Sequence, residues 1–280
     1  MLRQTLKTAS FLLLLTAATS AEADARLKVH YEGSVTAIPV GEGEFVMDIS
    51  DAGYAAVGHA RVTGIAKLVS SGHGTVMSRG DFVDGRVSPT SYSTRSETDK
   101  KKEDIAISLA NGTVTSFSVL PPNKNSKDRI PVEEKDRQNV VDPMSASIVT
   151  VPGTGDMLAP ENCNRTIPIF DGRQRYDLVF KFERIDTAKD IKGYKGKLLV
   201  CRVDYRPIAG YKPDKLSVKY MQDNKNIFVW LAPVEGTRVL FPARVSIVTL
   251  IGIVVVQAER FEIGPRDVSA KNAEPANTAK

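Results

Sequence analysis

The sequence predicts a mainly β protein, built on a strongly curved antiparallel sheet that is open or spiral and barrel-like, with one short α-helix. The first observation is an alternation of apolar and mostly polar residues, seen in Leu27–Tyr31, Tyr176–Phe182 and Leu199–Tyr205. A period of two gives each strand one apolar face and one polar face. About a dozen such segments are expected, and a sheet of that size must curl, split or close.

The second observation is a set of dipeptides that favour tight hairpin turns. They adopt positive φ at low cost and stand between alternating segments. The dipeptides are Asn111-Gly112, Asp84-Gly85 and Asp171-Gly172. A further hairpin is predicted at Gln222–Lys225, between strands at Leu216–Met221 and Asn226–Leu231. Hairpins in this number favour antiparallel pairing over helical crossovers.

The third observation is the uncharged run Val245–Val256, which is rich in β-branched residues. A membrane-spanning helix needs roughly 20 apolar residues, so this run is too short, and β-branched residues favour strands. We predict one or two strands, bent at Gly252 or turning near it and buried on both faces. The segment Ile227–Leu231 is also apolar on both faces, which suits a sheet that is covered on its outside as well. No transmembrane span is expected in the mature chain.

The one helix that the sequence favours begins after Asp142. The Asp142 side chain suits an N-cap, and Pro143 suits the first helical position because its missing N–H has no intrahelical partner there. We predict a helix over Ser145–Val149 that ends before Pro152, with the sheet curved around it.

The amino terminus has the pattern of a secretory signal peptide. Arg3 and Lys7 precede the short apolar stretch Phe11–Ala18, and Ala21-Glu22-Ala23 provides small residues at cleavage spacing. This divides the chain into a signal peptide at residues 1–23, a single β domain at 24–264 and a disordered tail at 265–280, which has almost no large apolar residues. Export predicts a periplasmic location if the host is Gram-negative.

The composition excludes some classes of function. The chain has 280 residues and a formal net charge of +5. The basic residues do not cluster with aromatic residues, as nucleic-acid binding would require. A mature chain of this length buries a full hydrophobic core without a scaffold of disulfides.

The two cysteines, Cys163 in a loop and Cys201 on an apolar strand face, are predicted to form a disulfide because export places them in an oxidising compartment. A metal site and a catalytic thiol are the alternatives. Neither cysteine has a CxxC partner or a neighbouring histidine, which a zinc site would favour.

No catalytic, cofactor-binding or metal-binding residue is predicted. The histidines His30, His59 and His73 are far apart in sequence and are assigned polar roles on strands or loops. There is no GxSxG motif and no complete glycine-rich phosphate loop.

Two weaker hypotheses concern charged residues. One is that two of Asp171, Asp177 and Asp186 supply a pair of carboxylates for glycoside hydrolysis, which depends on their separation in space. Arg173 and Arg175 suit either an anionic head group or a solvated strand face, and the solvated face is favoured.

The order of several short motifs resembles an exported bacterial domain-of-unknown-function family, DUF3108. The motifs are Asp142–Ala146, Phe170–Leu178, Cys201, Ala209–Tyr211, Pro242–Val245 and Leu250–Gly252. The resemblance implies a Gram-negative periplasmic protein without established enzymatic activity, so it assigns a role to no residue.

We therefore expect a periplasmic cell-envelope protein that binds an apolar or amphipathic ligand, such as a lipid, or a protein partner. The alternatives are a structural scaffold that adds a partner's strand to a sheet edge, and a carboxylate-dependent hydrolase of envelope polymers. No cofactor is expected.

Overall fold

The computed structural model describes residues 25–68, 71–122 and 127–265. Their fourteen strands are β1 Ala25–Val35, β2 Ile38–Ile49, β3 Gly53–Val62, β4 Gly72–Val83, β5 Arg86–Thr98, β6 Lys102–Ala110, β7 Thr113–Leu120, β8 Val149–Thr150, β9 Arg165–Phe170, β10 Arg175–Thr187, β11 Lys197–Ala209, β12 Ile227–Val234, β13 Val239–Thr249 and β14 Gly252–Pro265. One α-helix, α1, covers Leu216–Asp223. Four 3-10 turns cover Gly64–Leu68, Glu134–Arg137, Ser145–Ser147 and Pro160–Asn162.

The strands form one antiparallel sheet made of two meanders. The order is β7-β6-β5-β4-β3-β2-β1-β14-β13-β12-β11-β10-β9, and the short β8 pairs with β13 outside this path. The meanders join where β1 pairs with β14, from Ala25↔Pro265 to Val35↔Val254. The path has two end strands, β7 and β9, so the sheet curls without closing. The predicted fold class is confirmed.

Side chains hold the two ends of the curled sheet together. Phe117 of β7 packs edge-on against Phe170 of β9, with 5.4 Å between ring centroids. Arg173 Nη2 lies 2.5 Å from Glu103 Oε1, and this ion pair joins the β9–β10 turn to β6. The curl is therefore stabilised by packing and charge at the position where a closed barrel would have a backbone ladder.

Two hydrophobic clusters make up the core. The first joins the two meanders, and Phe45 of β2 stacks on Phe241 of β13 with 4.5 Å between ring centroids. The second surrounds Cys201 and includes Ile227, Val229 and Leu231 of β12. Trp230, from the opposite face of β12, packs against the first cluster. The prediction that this strand is covered on both faces is therefore confirmed.

The predicted helix at Ser145–Val149 is wrong in type and length, since the chain forms one 3-10 turn at Ser145–Ser147 and then enters β8. The capping role of Asp142 holds, because its Oδ1 accepts hydrogen bonds from the backbone N–H groups of Met144 (3.0 Å) and Ser145 (2.9 Å). Met144 and Ile148 belong to the first core cluster. The sheet thus curves around this turn.

The helix α1 lies where a strand and a hairpin turn were predicted, so the assignments of Leu216–Met221 and Gln222–Lys225 are wrong. Contacts distant in sequence explain the difference. The Asn224 side-chain amide donates to the carbonyl oxygen of Val248 on β13 at 2.7 Å, and Met221 packs against the second core cluster. These contacts position a helix of about two turns, which the alternation of β-forming residues in sequence does not indicate.

The run Val245–Val256 forms the β13–β14 hairpin, which turns at Leu250-Ile251. The strand prediction and the turn near Gly252 are confirmed. Burial on both faces is wrong, since Leu250 is 51% exposed, Ile251 76% and Ile253 47%. The hairpin extends beyond the core at its turn.

The turns at Asp84-Gly85 and Asn111-Gly112 are confirmed as tight hairpins with positive φ at both residues. Pro265, which the sequence assigned to the tail, is the last residue of β14 and pairs with Ala25. The predicted signal peptide at residues 1–23 and the tail beyond Pro265 lie outside the described residues.

Candidate binding surface

Three connections meet at one end of the sheet. They are the β1–β2 turn, the 3-10 turn Gly64–Leu68 between β3 and β4, and the β13–β14 turn. Antiparallel pairing places the three connections at the same end of the sheet, because β1, β3 and β13 run toward that end, and β2, β4 and β14 begin there. We call it the turn end.

Backbone hydrogen bonds join these connections side by side. The N–H of Thr36 donates to the carbonyl oxygen of Ile253 at 2.8 Å, which links the first turn to the last hairpin. The N–H of Thr63 donates to the carbonyl oxygen of Val40 at 3.0 Å, which fixes the start of the 3-10 turn beside β2. The three connections therefore form one continuous surface.

Six large aliphatic side chains on this surface are exposed. Their exposed fractions range from 47% to 89% for Ile38, Ile65, Leu68, Leu250, Ile251 and Ile253. We call these six residues the apolar turn surface. Single exposed aliphatic residues are ordinary, but a group on adjacent turns is typical of an interaction site.

Lysines lie on both sides of the apolar turn surface. On one side, the β5–β6 turn contains Lys100, and this turn is joined to the end of the 3-10 connection because Ser71 N–H donates to Asp99 Oδ2 at 2.7 Å. On the other side, Asn224 ties the C-terminal end of α1 to Val248 of β13, and Lys215 precedes the N-terminal end of this helix, about 12 Å along its axis. Lys67 lies between these two sides, within the 3-10 turn.

These lysines are free of ion pairs within the described ranges. Lys67, Lys100 and Lys215 are all exposed. We call these three residues the flanking lysines.

The interior of the curl contains a buried polar network. Asp142 is fully buried, and its carboxylate accepts hydrogen bonds from the hydroxyls of Ser145 and Ser78 (3.2 Å) besides the two backbone N–H groups. The Tyr54 hydroxyl lies 2.5 Å from Ser145 Oγ. Burial raises the pKa of Asp142 above its ordinary value, although these donors act in the opposite direction. The network fixes the chain inside the curl to β3 and β4, which is a structural role.

Two of the three aspartates considered for hydrolysis are too far apart to act as a pair. Asp177 and Asp186 are nine residues apart on β10, which is about 30 Å at ~3.3 Å per residue, against roughly 5–10 Å for glycosidase carboxylates. Asp171 is half-buried, and its Oδ1 accepts from the backbone N–H groups of Arg173 (2.8 Å) and Gln174 (2.7 Å). Burial raises the pKa of Asp171. The indole N–H of Trp230 donates to Asp186 and lowers the pKa of that carboxyl.

The two arginines beside Asp171 are engaged in ion pairs, so the favoured assignment to a solvated strand face is wrong. Arg173 pairs with Glu103, and Arg175 Nη1 lies 2.7 Å from Asp177 Oδ1. Both guanidinium groups are mostly buried. They stabilise the β9–β10 hairpin and its contact with β6.

The three histidines, which are far apart in sequence, line one exposed groove of about 590 Å³ across β1 to β4. Strand register places His30 opposite Glu44, and Glu44 opposite His59. His59 Nδ1 lies 3.1 Å from Thr75 Oγ1. In the part of the chain that the structure describes, no three histidine, cysteine, aspartate or glutamate side chains are arranged to hold a metal ion.

Cys163 and Cys201 lie at disulfide distance, with 5.5 Å between their Cα atoms. Both are fully buried in the second core cluster. Their proximity brings the loop before β9 next to β11, and the disulfide between them stays a prediction.

The apolar turn surface was not predicted from the sequence. One signal was present, because Leu250 and Ile251 stand at the expected turn of a hairpin, where polar residues and glycine are usual. The contributions of Ile38, Ile65 and Leu68 depend on which turns meet at one end of the sheet. Among the residues that the structure describes, no helix is long and apolar enough to cross a bilayer.

The fold and this surface define an open, curled antiparallel β protein with an exposed apolar end. The chain belongs to the DUF3108 family of proteins of unknown function, whose model matches residues 26–259. None of the curated proteins matches it. Among solved structures, it is similar to a β-barrel-like protein of the domain of unknown function DUF1849 from Brucella abortus, with a TM-score of 0.48 and 10% sequence identity over 86% of this chain and 98% of that one.

Proposed function

We propose that this protein is an exported, periplasmic cell-envelope protein that binds amphipathic molecules, of which lipids are the main class, through the apolar turn surface. The observation that carries the proposal is the group of six exposed aliphatic side chains on three hydrogen-bonded connections. Fully burying one such side chain contributes roughly 1.5–3 kcal/mol. Partial burial of several together is enough for measurable binding.

The outside of the curled sheet is a better candidate for the ligand-binding site than its interior. A carrier that holds its ligand within the curl needs an open apolar interior. Here the chain between Val140 and Val151 occupies that space, and Val140, Met144 and Ile148 are part of the first core cluster. The ligand therefore binds at the turn end.

Co-flotation with lipid vesicles tests this function. We expect the double variant Leu250→Gln/Ile251→Gln to bind vesicles at least tenfold more weakly than the unaltered protein, since about 1.4 kcal/mol is tenfold in affinity. Val83→Gln is the matched control, because Val83 is 52% exposed and lies beside the β4–β5 turn at the opposite end of the sheet. Equal binding by all three proteins, or binding by none, would contradict the proposal.

Export is supported by the leader-like pattern of residues 1–23 and by the cysteine pair at disulfide distance. Fractionation of cells that express the full chain tests the location. We expect mature protein that begins near Asp24 in the periplasmic fraction. Recovery of the uncleaved chain in the cytosol would contradict export.

A sheet edge is a second candidate site, for a protein partner. The edge of β9 is occupied in part, because Val141 N–H donates to Pro168 O and Phe170 N–H donates to Val141 O. In the described chain, β7 forms a backbone ladder only with β6, and Thr113–Leu120 contains no charge and no proline. Such a strand suits addition of a partner's strand. Crosslinking in cells from a photoreactive residue at Ser118 tests this role, and a lack of any adduct would contradict it.

A further inference from the structure

The flanking lysines indicate which lipid surface the turn end fits. We infer that the apolar turn surface seats on a bilayer that contains anionic phospholipid, with its aliphatic side chains at the level of the head groups. The inference rests on the proposed function and specifies its ligand. It depends on three further observations, which are the charge of the turn end, its width and its position on the molecule.

The first observation is the charge of the turn end. The segments Val35–Gly41, Thr63–Leu68 and Thr249–Ile253 contain no acidic residue and one cation, Lys67. Lys100 and Lys215 lie on either side of them, and all three flanking lysines are without an ion-pair partner in the described chain. Of the acids beside them, Asp99 accepts from Ser71, Asp214 Oδ1 lies 3.0 Å from Lys219 Nζ, and Asp223 at the end of α1 is exposed without an ion pair in the described chain. The three flanking lysines outnumber this one acid. An unpaired lysine near an anionic membrane contributes favourably and additively.

The second observation is the width of the apolar turn surface. The apolar turn surface extends over six neighbouring strands, β13, β14, β1, β2, β3 and β4. At ~4.8 Å between strands, this is about 24 Å. Its side chains stand at the tips of separate turns, so they reach outward side by side. This arrangement suits the surface of a bilayer better than a single lipid molecule held in a pocket.

The third observation is that the opposite end of the sheet lacks this combination. The β2–β3 and β4–β5 turns there contain Asp51 and Asp84. Exposed lysines without an ion pair in the described chain also occur at that end, on the β10–β11 connection, so the difference lies in the aliphatic side chains. The turns of that end expose Val83, against six aliphatic side chains at the turn end. The asymmetry gives the protein one end for contact with a membrane.

Vesicle binding with two lipid compositions tests the inference. We compare vesicles of phosphatidylcholine with vesicles in which a third of the lipid is phosphatidylglycerol, at low and at high salt. We expect at least tenfold tighter binding to the anionic vesicles, and the difference should shrink as salt screens the charges. The triple variant Lys67→Gln/Lys100→Gln/Lys215→Gln should lose most of the preference for anionic lipid.

The matched control is Lys28→Gln/Lys189→Gln/Lys195→Gln, which removes the same charge from exposed lysines away from the turn end. This control variant should keep the preference for anionic lipid. Circular dichroism and thermal unfolding check that both triple variants fold. Equal binding to both lipids, or equal loss in the two triple variants, overturns the inference and leaves the proposed lipid binding in place. Failure to bind either kind of vesicle overturns both.

A second measurement, of tryptophan fluorescence, reports which end of the protein contacts the membrane. Ile251→Trp places an indole on the apolar turn surface, and Val83→Trp places one at the opposite end. We expect anionic vesicles to shift the emission of the Ile251→Trp variant to shorter wavelength and to leave that of the Val83→Trp variant unchanged. A shift in both, or in neither, contradicts seating through the turn end.

Discussion

Thr36 and Ile253 join the β1–β2 and β13–β14 hairpins through a backbone hydrogen bond of 2.8 Å from the Thr36 N–H to the Ile253 carbonyl oxygen. These residues are 217 positions apart in sequence, and their contact places two exposed apolar turns side by side. Gly252, at the start of β14, is the residue that lets the turns approach. Its φ is +122°, and a Cβ there would overlap Thr36 Oγ1.

Gly252→Ala is therefore expected to destabilise the protein. The backbone strain alone amounts to about 1–3 kcal/mol, and the overlap with Thr36 adds to it. Gly236→Ala is the control, since Gly236 has φ +78° but no atom within 4 Å of the added Cβ. Urea unfolding should show a larger loss for Gly252→Ala than for Gly236→Ala. Equal losses would mean that the contact with Thr36 has no energetic role.

Asp142 predicts a pH dependence of stability. Because burial raises its pKa in the folded state above the ordinary value of 3.8, its contribution to stability is full below that value and is lost as pH rises through the raised pKa. We expect the free energy of unfolding to fall as the pH rises from the ordinary pKa of the carboxyl through its raised pKa in the folded state. Asp142→Asn should flatten this change in part, while Asp171, whose pKa is also raised, keeps its own contribution.

Urea unfolding at several pH values measures the effect of Asp142. The Asp142→Ala variant leaves the Ser145 and Ser78 donors without their acceptor, so it should lose about 3–5 kcal/mol at any pH. An Asp142→Asn variant with the same pH dependence as the unaltered protein would contradict the assignment.

The disulfide between Cys163 and Cys201 is predicted to stabilise the native protein. The two residues are 38 positions apart, and constraining such a loop contributes roughly 4 kcal/mol in the chain-entropy model. Protein from the native compartment should show no free thiol by labelling mass, and reductant should slow its migration in a denaturing gel. Cys163→Ser/Cys201→Ser should unfold at lower urea concentration and be insensitive to reductant. Two freely labelled thiols in the native protein would refute the pairing.

The stacked pair Phe45 and Phe241 should couple the two meanders. Phe241→Ala is expected to cost about 3–5 kcal/mol, because it opens a cavity in the first core cluster. A double-mutant cycle with Phe45→Ala should give a coupling of about 0.5–1.5 kcal/mol. Phe182→Ala is the control, since Phe182 is 37% exposed and should cost less. A coupling near zero would show that the rings contribute independently.

Much of the architecture follows from local sequence pattern. The strands, the tight turns at Asn111-Gly112 and Asp84-Gly85, and the curled antiparallel sheet follow from alternation and turn chemistry, which act over a few residues. The capping role of Asp142 follows from the same local rules, although the turn that it caps is 3-10. The proximity of Cys163 and Cys201 was inferred from the oxidising compartment and from the small number of cysteines.

Contacts between distant segments decided the rest. Leu216–Asp223 is helical because Asn224 and Met221 find partners on β13 and in the second core cluster, against the local alternation. His30, His59 and His73 share a groove because strand register brings them together. The sequence by itself determined the class of fold, since that depends on periodicity. Only the tertiary structure decided which apolar side chains lie together at the turn end between the flanking lysines. Side chains from separate turns form one surface only when the sheet has assembled, as it does for Ile38, Ile65, Leu68 and Ile251.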